Sequence, residues 1–82
     1  MKILYFAQLR QMLGKSEDIL YLKKNIKIYE VIDELIKRNE TYRVAFNDIR
    51  NLQYAINCEY ANKDSFVSNK DELAVFPPVT GG

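Results

Sequence analysis

The chain is 82 residues long, enough for one small domain, and its 48% apolar and 28% charged residues exclude a disordered chain. Twelve Lys plus Arg against eleven Asp plus Glu leave a net charge of +1, which argues against a nucleic-acid binder driven by phosphate neutralisation; the densest basic stretch is Lys23-Lys24-Lys27. One cysteine, Cys58, excludes an internal disulfide and a cysteine-ligated cluster, and the absence of histidine removes the commonest metal ligand and general base.

In chain order, Lys2 to Ala7 is rich in β-branched, aromatic and large apolar residues and reads as a strand, apolar on both faces and therefore central in its sheet. Its apolar run is too short for a secretory core, and no run approaches the ~18 residues of a membrane span, so the expected location is the cytoplasm. Gln8 to Leu13 reads as a short helix, with Leu9, Met12 and Leu13 on one face and Gly14 as its stop. Glu17 to Leu22 is a second strand, close enough to the first to be its antiparallel neighbour.

The clearest element is a helix near Ile28 to Asn39. Ile28, Val31, Ile32, Leu35 and Ile36 fall on the i, i+3, i+4, i+7, i+8 template. Asp33–Lys37 and Glu34–Arg38 are acid-before-base pairs at i, i+4, while the N-cap position near Lys27 lacks Ser, Thr, Asp or Asn. Thr41 to Asn51 is ambiguous, with a helical turn around Val44-Ala45-Phe46. Leu52 to Asn57 reads as a third strand, Tyr60-Ala61 as a short extra one, and Leu73 to Phe76 as the last, stopped by Pro77-Pro78. Asn62-Lys63-Asp64 and Ser68-Asn69-Lys70-Asp71 are turn clusters. One amphipathic helix must cover one face of the sheet. The order therefore predicts an α+β fold of the β-grasp, ubiquitin-like architecture. Its mixed sheet has four to five strands, with the first and last side by side and parallel in the middle. Residues 1–78 form the domain and 79–82 an extended tail.

The tail is the most specific feature. Two of the three glycines are Gly81 and Gly82, preceded by Pro77-Pro78-Val79-Thr80. The prolines end the strand, remove two backbone donors and favour an extended exit. Four residues then reach about 13–14 Å. A pair without side chains threads a narrow channel and presents a bare carboxylate.

The whole chain resembles the ubiquitin-like sulfur-carrier family to which the small subunits of molybdopterin synthase belong. The resemblance rests on Ile3-Leu4-Tyr5-Phe6-Ala7-Gln8-Leu9-Arg10 with Gly14, on Ala55-Ile56-Asn57, and above all on Asp71-Glu72-Leu73-Ala74-Val75-Phe76-Pro77-Pro78-Val79-Thr80-Gly81-Gly82. Lys70 stands where the family often has a turn glycine. The resemblance implies that a ubiquitin-activating-type adenylating enzyme joins the Gly82 carboxylate to AMP, using ATP. A sulfur donor then makes a thiocarboxylate. The tail, with Val79, Thr80 and Gly81, enters the large subunit, where sulfur is installed on cyclic pyranopterin monophosphate. The pterin is held by that partner in a heterotetramer of two small and two large subunits, and the small chain binds no cofactor, metal, nucleic acid or membrane.

Phe6, Tyr60 and Phe76 match the family's apolar contacts to the large subunit, and Pro77 and Pro78 join that interface; without the resemblance, core is an equal reading of the three aromatics. Arg10, just after the first strand, is placed to pair with a partner carboxylate, with a solvated helix charge as the equal alternative. Cys58 reads as a buried or incidental thiol, and Glu17-Asp18 and Asp71-Glu72 as solvated turn charges. Two other functions share the tail. One is sulfur donation to thiamine or tRNA thiolation, although the thiamine carrier is typically shorter and lacks the Phe-Pro-Pro-Val-Thr approach. The other is a ubiquitin-like modifier or interaction module.

Overall fold

The structure, a computed structural model, describes residues 1–49 and 51–78. Its elements are β1 (Lys2–Tyr5), α1 (Ala7–Leu13), β2 (Glu17–Ile19), β3 (Ile26–Lys27), α2 (Ile28–Arg38), α3 (Glu40–Asp48), β4 (Gln53–Ile56), β5 (Glu59–Ala61), β6 (Phe66–Val67) and β7 (Glu72–Phe76). The main sheet runs β2-β1-β7-β4-β5, and β3 and β6 form a separate two-stranded ribbon. β1 and β7 lie side by side and parallel, with Ile3 opposite Leu73 and Tyr5 opposite Val75. β2 and β4 flank them antiparallel. The expected β-grasp topology is present, with β7 in the middle of the sheet.

Alternation along the strands separates two faces. Ile3, Tyr5, Leu73 and Val75 point to one side and are fully buried against the helices. There Ile28, Val31 and Leu35 of α2 seal the core, with Ile32 and Ile36 partly buried beside them. α2 is not alone in this layer. α1 contributes Leu9 and Leu13, and the ambiguous stretch is a nine-residue helix, α3, contributing Tyr42, Ala45 and Phe46. Asn39 starts α3, its Oδ1 accepting the Thr41 N–H at 2.8 Å. α2 starts without a capping hydroxyl or amide side chain: Glu30 Oε1 reaches back to the Lys27 N–H at 3.3 Å, satisfying one donor there. The i, i+4 pairs expected on α2 do not form; Lys37 meets Glu34, one turn back, at 3.7 Å.

One acid of each pair read as solvated turn charges, Asp18 and Asp71, is tied into the fold instead. Asp18 sits in β2 on the helix side of the sheet, its Oδ2 accepting from the Tyr5 hydroxyl at 2.8 Å and the Tyr42 hydroxyl at 2.5 Å. Lys15 Nζ completes the cluster, 3.2 Å from Asp18 Oδ1 and 3.1 Å from the Tyr42 hydroxyl. This ties α3 to β1 and β2. Burial by itself raises the Asp18 pKa, but the two hydroxyls and Lys15 outweigh it and hold the carboxyl below its ordinary range. Burial first, and Asp18 second, push the Tyr5 hydroxyl pKa far up, so it stays a donor. Asp71 closes the β6–β7 turn, taking the Ser68 N–H at 2.8 Å and the Asn57 side-chain amide at 2.9 Å.

Candidate functional site

No helix covers the opposite face of the sheet, where Ala55 is buried, Leu4, Ala74 and Phe76 are half-buried and Tyr60 is exposed. Lys2, Leu4, Ala74, Phe76, Gln53, Ala55 and Tyr60 alternate away from the helices. The pairing register strings Glu17, Leu4, Ala74, Ala55 and Tyr60 into one row across all five strands. Two alanines at the centre of that row keep it shallow. At its edge the Tyr60 and Phe76 rings lie tilted, with centroids 6.0 Å apart. Tyr60 is 79% exposed and Phe66 60%, but Phe66 belongs to the separate ribbon and adds nothing to this face.

Phe6 follows β1 in extended backbone (φ −129°, ψ 158°), so alternation carries its side chain to the same side as Leu4. It is 44% exposed. Because Tyr5 pairs with Val75, Phe6 and Phe76 occupy the next positions along neighbouring strands, at the end where β7 leaves the sheet. The chain then turns sharply: Ala7 has φ +52°, a left-handed conformation that costs a side-chain-bearing residue about 1 kcal/mol. One turn further on, Arg10 is exposed, and its backbone N–H donates to the Phe6 carbonyl at 3.3 Å. Pro77 is half-buried and Pro78 exposed. The core reading of Phe6, Tyr60 and Phe76 is thus excluded for Phe6 and Tyr60, and Phe76 is half-buried outside the helix-side core.

The structure therefore brings Phe6, Tyr60 and Phe76 together on the open side of the sheet, with Pro77 and Pro78 following Phe76, whereas Arg10 is exposed on α1, a helix of the opposite layer. Val79, Thr80, Gly81 and Gly82 lie outside the described residues. Leu4, Ala55 and Ala74 join the face without having been singled out from the sequence; the period-2 alternation of the strands was their signal, and it needed the register to become a surface. Cys58 is neither buried nor on this face. It is exposed in the β4–β5 turn, where Asn57 (φ +50°) and Cys58 (φ +71°) both take left-handed backbone, the geometry of a two-residue hairpin turn. Among the described residues no group of three or more Cys, Asp or Glu is placed to hold a metal ion, and no helix is long and apolar enough to cross a membrane. The face presents shape and apolar area.

A five-stranded mixed sheet with parallel central strands, helices on one face and an open face beside the C-terminal exit defines a ubiquitin-like β-grasp domain. The chain belongs to the ThiS family, whose model matches residues 3–82. It is 35% identical over 83 residues to the molybdopterin synthase sulfur carrier subunit of Haemophilus influenzae, covering 100% of this chain and 99% of that one. Among solved structures it is similar to a Pyrococcus furiosus protein assigned as molybdopterin converting factor subunit 1 (29% identity, 95% of each chain, TM-score 0.76). It is also similar to SAMP1, a small archaeal modifier protein, of Haloferax volcanii (26% identity, 100% of this chain and 98% of that one, TM-score 0.78).

Proposed function

We propose that this chain is the sulfur-carrier subunit of a molybdopterin synthase. One observation carries the reading: the apolar face of Phe6, Tyr60 and Phe76 opens at the same end at which β7 leaves the sheet through Pro77-Pro78 toward Gly81-Gly82. A partner that covers this face receives the tail as a consequence of docking. The names borne by the relatives in the same family support the assignment.

In this reading residues 79–82 are an extended tail on a folded domain of residues 1–78. A carboxylate is a poor electrophile, so a ubiquitin-activating-type enzyme first attaches the Gly82 carboxylate to the α-phosphate of ATP, releasing pyrophosphate. The acyl-adenylate now has AMP as leaving group, and sulfide-level sulfur supplied by a donor attacks the carbonyl, the C–S bond forming as the C–O bond to AMP breaks, to leave a terminal thiocarboxylate. That group holds sulfur as a nucleophile without releasing free sulfide. The large subunit binds the docking face, takes in Val79, Thr80, Gly81 and Gly82, and holds cyclic pyranopterin monophosphate, the sulfur acceptor. Two small and two large subunits form the working heterotetramer. Glycine at the terminus offers least hindrance at the reacting carbonyl.

The test is intact-mass analysis of the chain co-expressed with its adenylating enzyme and sulfur donor, followed by pterin conversion with the large subunit. The expected product is heavier by the difference between one sulfur and one oxygen, and it loses that increment on meeting pterin. A terminal carboxylate that stays unchanged under these conditions refutes the reading. The likeness to SAMP1 favours one second reading, attachment of the same terminus to lysines of other proteins. Lysine-linked adducts in place of a thiocarboxylate distinguish it.

A further inference from the structure

At the far end of the sheet from the C-terminal exit, the loop that follows β2 meets the turn between β6 and β7. Asn69 locks them together: its Oδ1 accepts the Leu22 N–H at 2.7 Å, and its Nδ2 donates back to the Leu22 carbonyl. A side-chain amide here completes the pair that a neighbouring strand would otherwise supply. The two loops border an open surface concavity of about 370 Å³ whose charged lining is Lys23, Lys24 and Lys70. Ser68, Asn69 and Leu22 form part of its wall.

No carboxylate lines this concavity. Among the described residues the ion pairs involve Lys15, Lys37 and Arg43, so none of the three lysines is in a direct salt bridge. The nearest acid in sequence, Asp71, is committed to Ser68 and Asn57. Glu30 and Glu34 lie in an adjoining groove that Lys23 and Lys24 also border. Glu30 there accepts the Lys27 N–H, and Glu34 pairs with Lys37. In a chain of net charge +1, three unpaired ammonium groups gathered on a preformed, clamped surface are a local feature rather than a general basic character.

We propose that this concavity is a docking site for an acidic, Asp/Glu-rich segment of a protein partner. Three flexible point charges suit carboxylates presented in varied geometry. A single-stranded nucleic acid calls for a continuous basic track with stacking aromatics, and no aromatic side chain lines this concavity. The position has a consequence. Lys70 and Phe76 are six residues apart along β7 and its approach, roughly 20 Å at strand spacing. A partner held here leaves the apolar face and the tail free, so two partners are accommodated at once. The inference is independent of the chemistry proposed for Gly82.

The experiment titrates a hexaglutamate peptide into the full 82-residue chain at low salt, followed by amide chemical shifts. Shifts are expected at residues 22–25 and 68–70 and not at Phe6, Tyr60 or Phe76, with binding weakening as salt rises. Lys23→Gln/Lys24→Gln/Lys70→Gln together should weaken binding about tenfold, the scale of three exposed charge pairs. Lys37→Gln, which removes one charge at the end of α2, should leave it unchanged. A thermal melt confirms that each variant is folded. No shifts, shifts centred on the open sheet face, or equal binding by the triple variant overturn the proposal. Tighter binding of a hexathymidine strand or of anionic phospholipid vesicles at the same residues overturns it in favour of a nucleic acid or a membrane.

Discussion

Tyr60→Asp separates docking from folding more cleanly than any other substitution on the open face. Tyr60 lies on the edge strand β5, opposite Ala55 and beside the Phe76 ring, and 79% of it is exposed. A fully buried aromatic side chain removes about 150–250 Å² from water. At ~25 cal/mol per Å², an exposed tyrosine covered by a partner contributes up to about 4 kcal/mol before the costs of association. Aspartate forfeits that area and adds a carboxylate to desolvate, so binding to the proposed partner, the large subunit, should fall by about 2–4 kcal/mol, roughly 30- to 1,000-fold in Kd. The fold should lose far less. The whole strand-propensity scale spans ~1 kcal/mol, equivalent to a Tm drop of about 4–8 °C in a domain this size. Calorimetric titration with the purified large subunit, beside a thermal melt, reads both quantities. Affinity within threefold of the parent, or a variant that no longer folds, refutes the assignment of this ring to an interface.

Other substitutions test the remaining layers. Leu35→Ala, at a fully buried position of α2, should cost roughly 2–5 kcal/mol in a urea melt. Gly14→Ala places a side chain at φ +72° where nothing lies within 4 Å, so its cost, ~1 kcal/mol, should be purely a matter of backbone and the structure should not shift. The Asp18 carboxyl is held below its ordinary value of 3.8, so its stabilisation is fully present above that pH and is lost as pH falls through the lower folded value. Asp18→Asn should flatten the acid limb of the stability curve below pH 3.8 and lower stability at neutral pH. Deleting Gly82 should leave Tm and docking nearly unchanged and abolish sulfur transfer in the reconstituted pterin assay.

What was legible in the sequence follows from how locally each feature is encoded. α2 announces itself because Ile28, Val31 and Leu35 repeat at helical spacing and are the residues that end up fully buried. β1 and β7 are apolar throughout, which marks strands at the centre of a sheet. α3 was hidden although Tyr42, Ala45, Phe46 and Ile49 keep the same spacing. Two of these four are a tyrosine and an alanine, weak apolar signals, and the exposed Val44 interrupts the pattern. Asp18 was unreadable for a different reason. Its two hydroxyl partners lie 13 and 24 residues away, so nothing near it in the chain distinguishes it from a turn charge. The two-residue strands β3 and β6 are too short to show any period. The ends of the docking face, Phe6, Tyr60 and Phe76, came from family resemblance, while Leu4, Ala55 and Ala74 between them needed the strand register.

β7 joins the two halves of the proposed function. It is paired along its length, with β1 from Glu72 to Val75 and with β4 from Leu73 to Phe76. A strand held on both sides cannot slide by one residue without turning Leu73 and Val75 out of the core and exchanging them for the outward-facing set. The point at which the chain leaves the sheet is therefore fixed by the same residues that fix the core. Phe76, the last paired residue, is also part of the proposed docking face, so a partner seated on that face would meet the exit at a set position. In the proposed extended tail the reach of the terminus is set by residue count. Removing Gly82 draws the carboxylate back by about 3.5 Å, and appending one alanine carries it forward by as much. A displacement of ~1 Å at a reacting centre already costs about 100-fold in rate. Both changes should therefore fail in the same assay while leaving the folded domain and its docking intact. Normal transfer by either variant would show that the terminus is not the carrier.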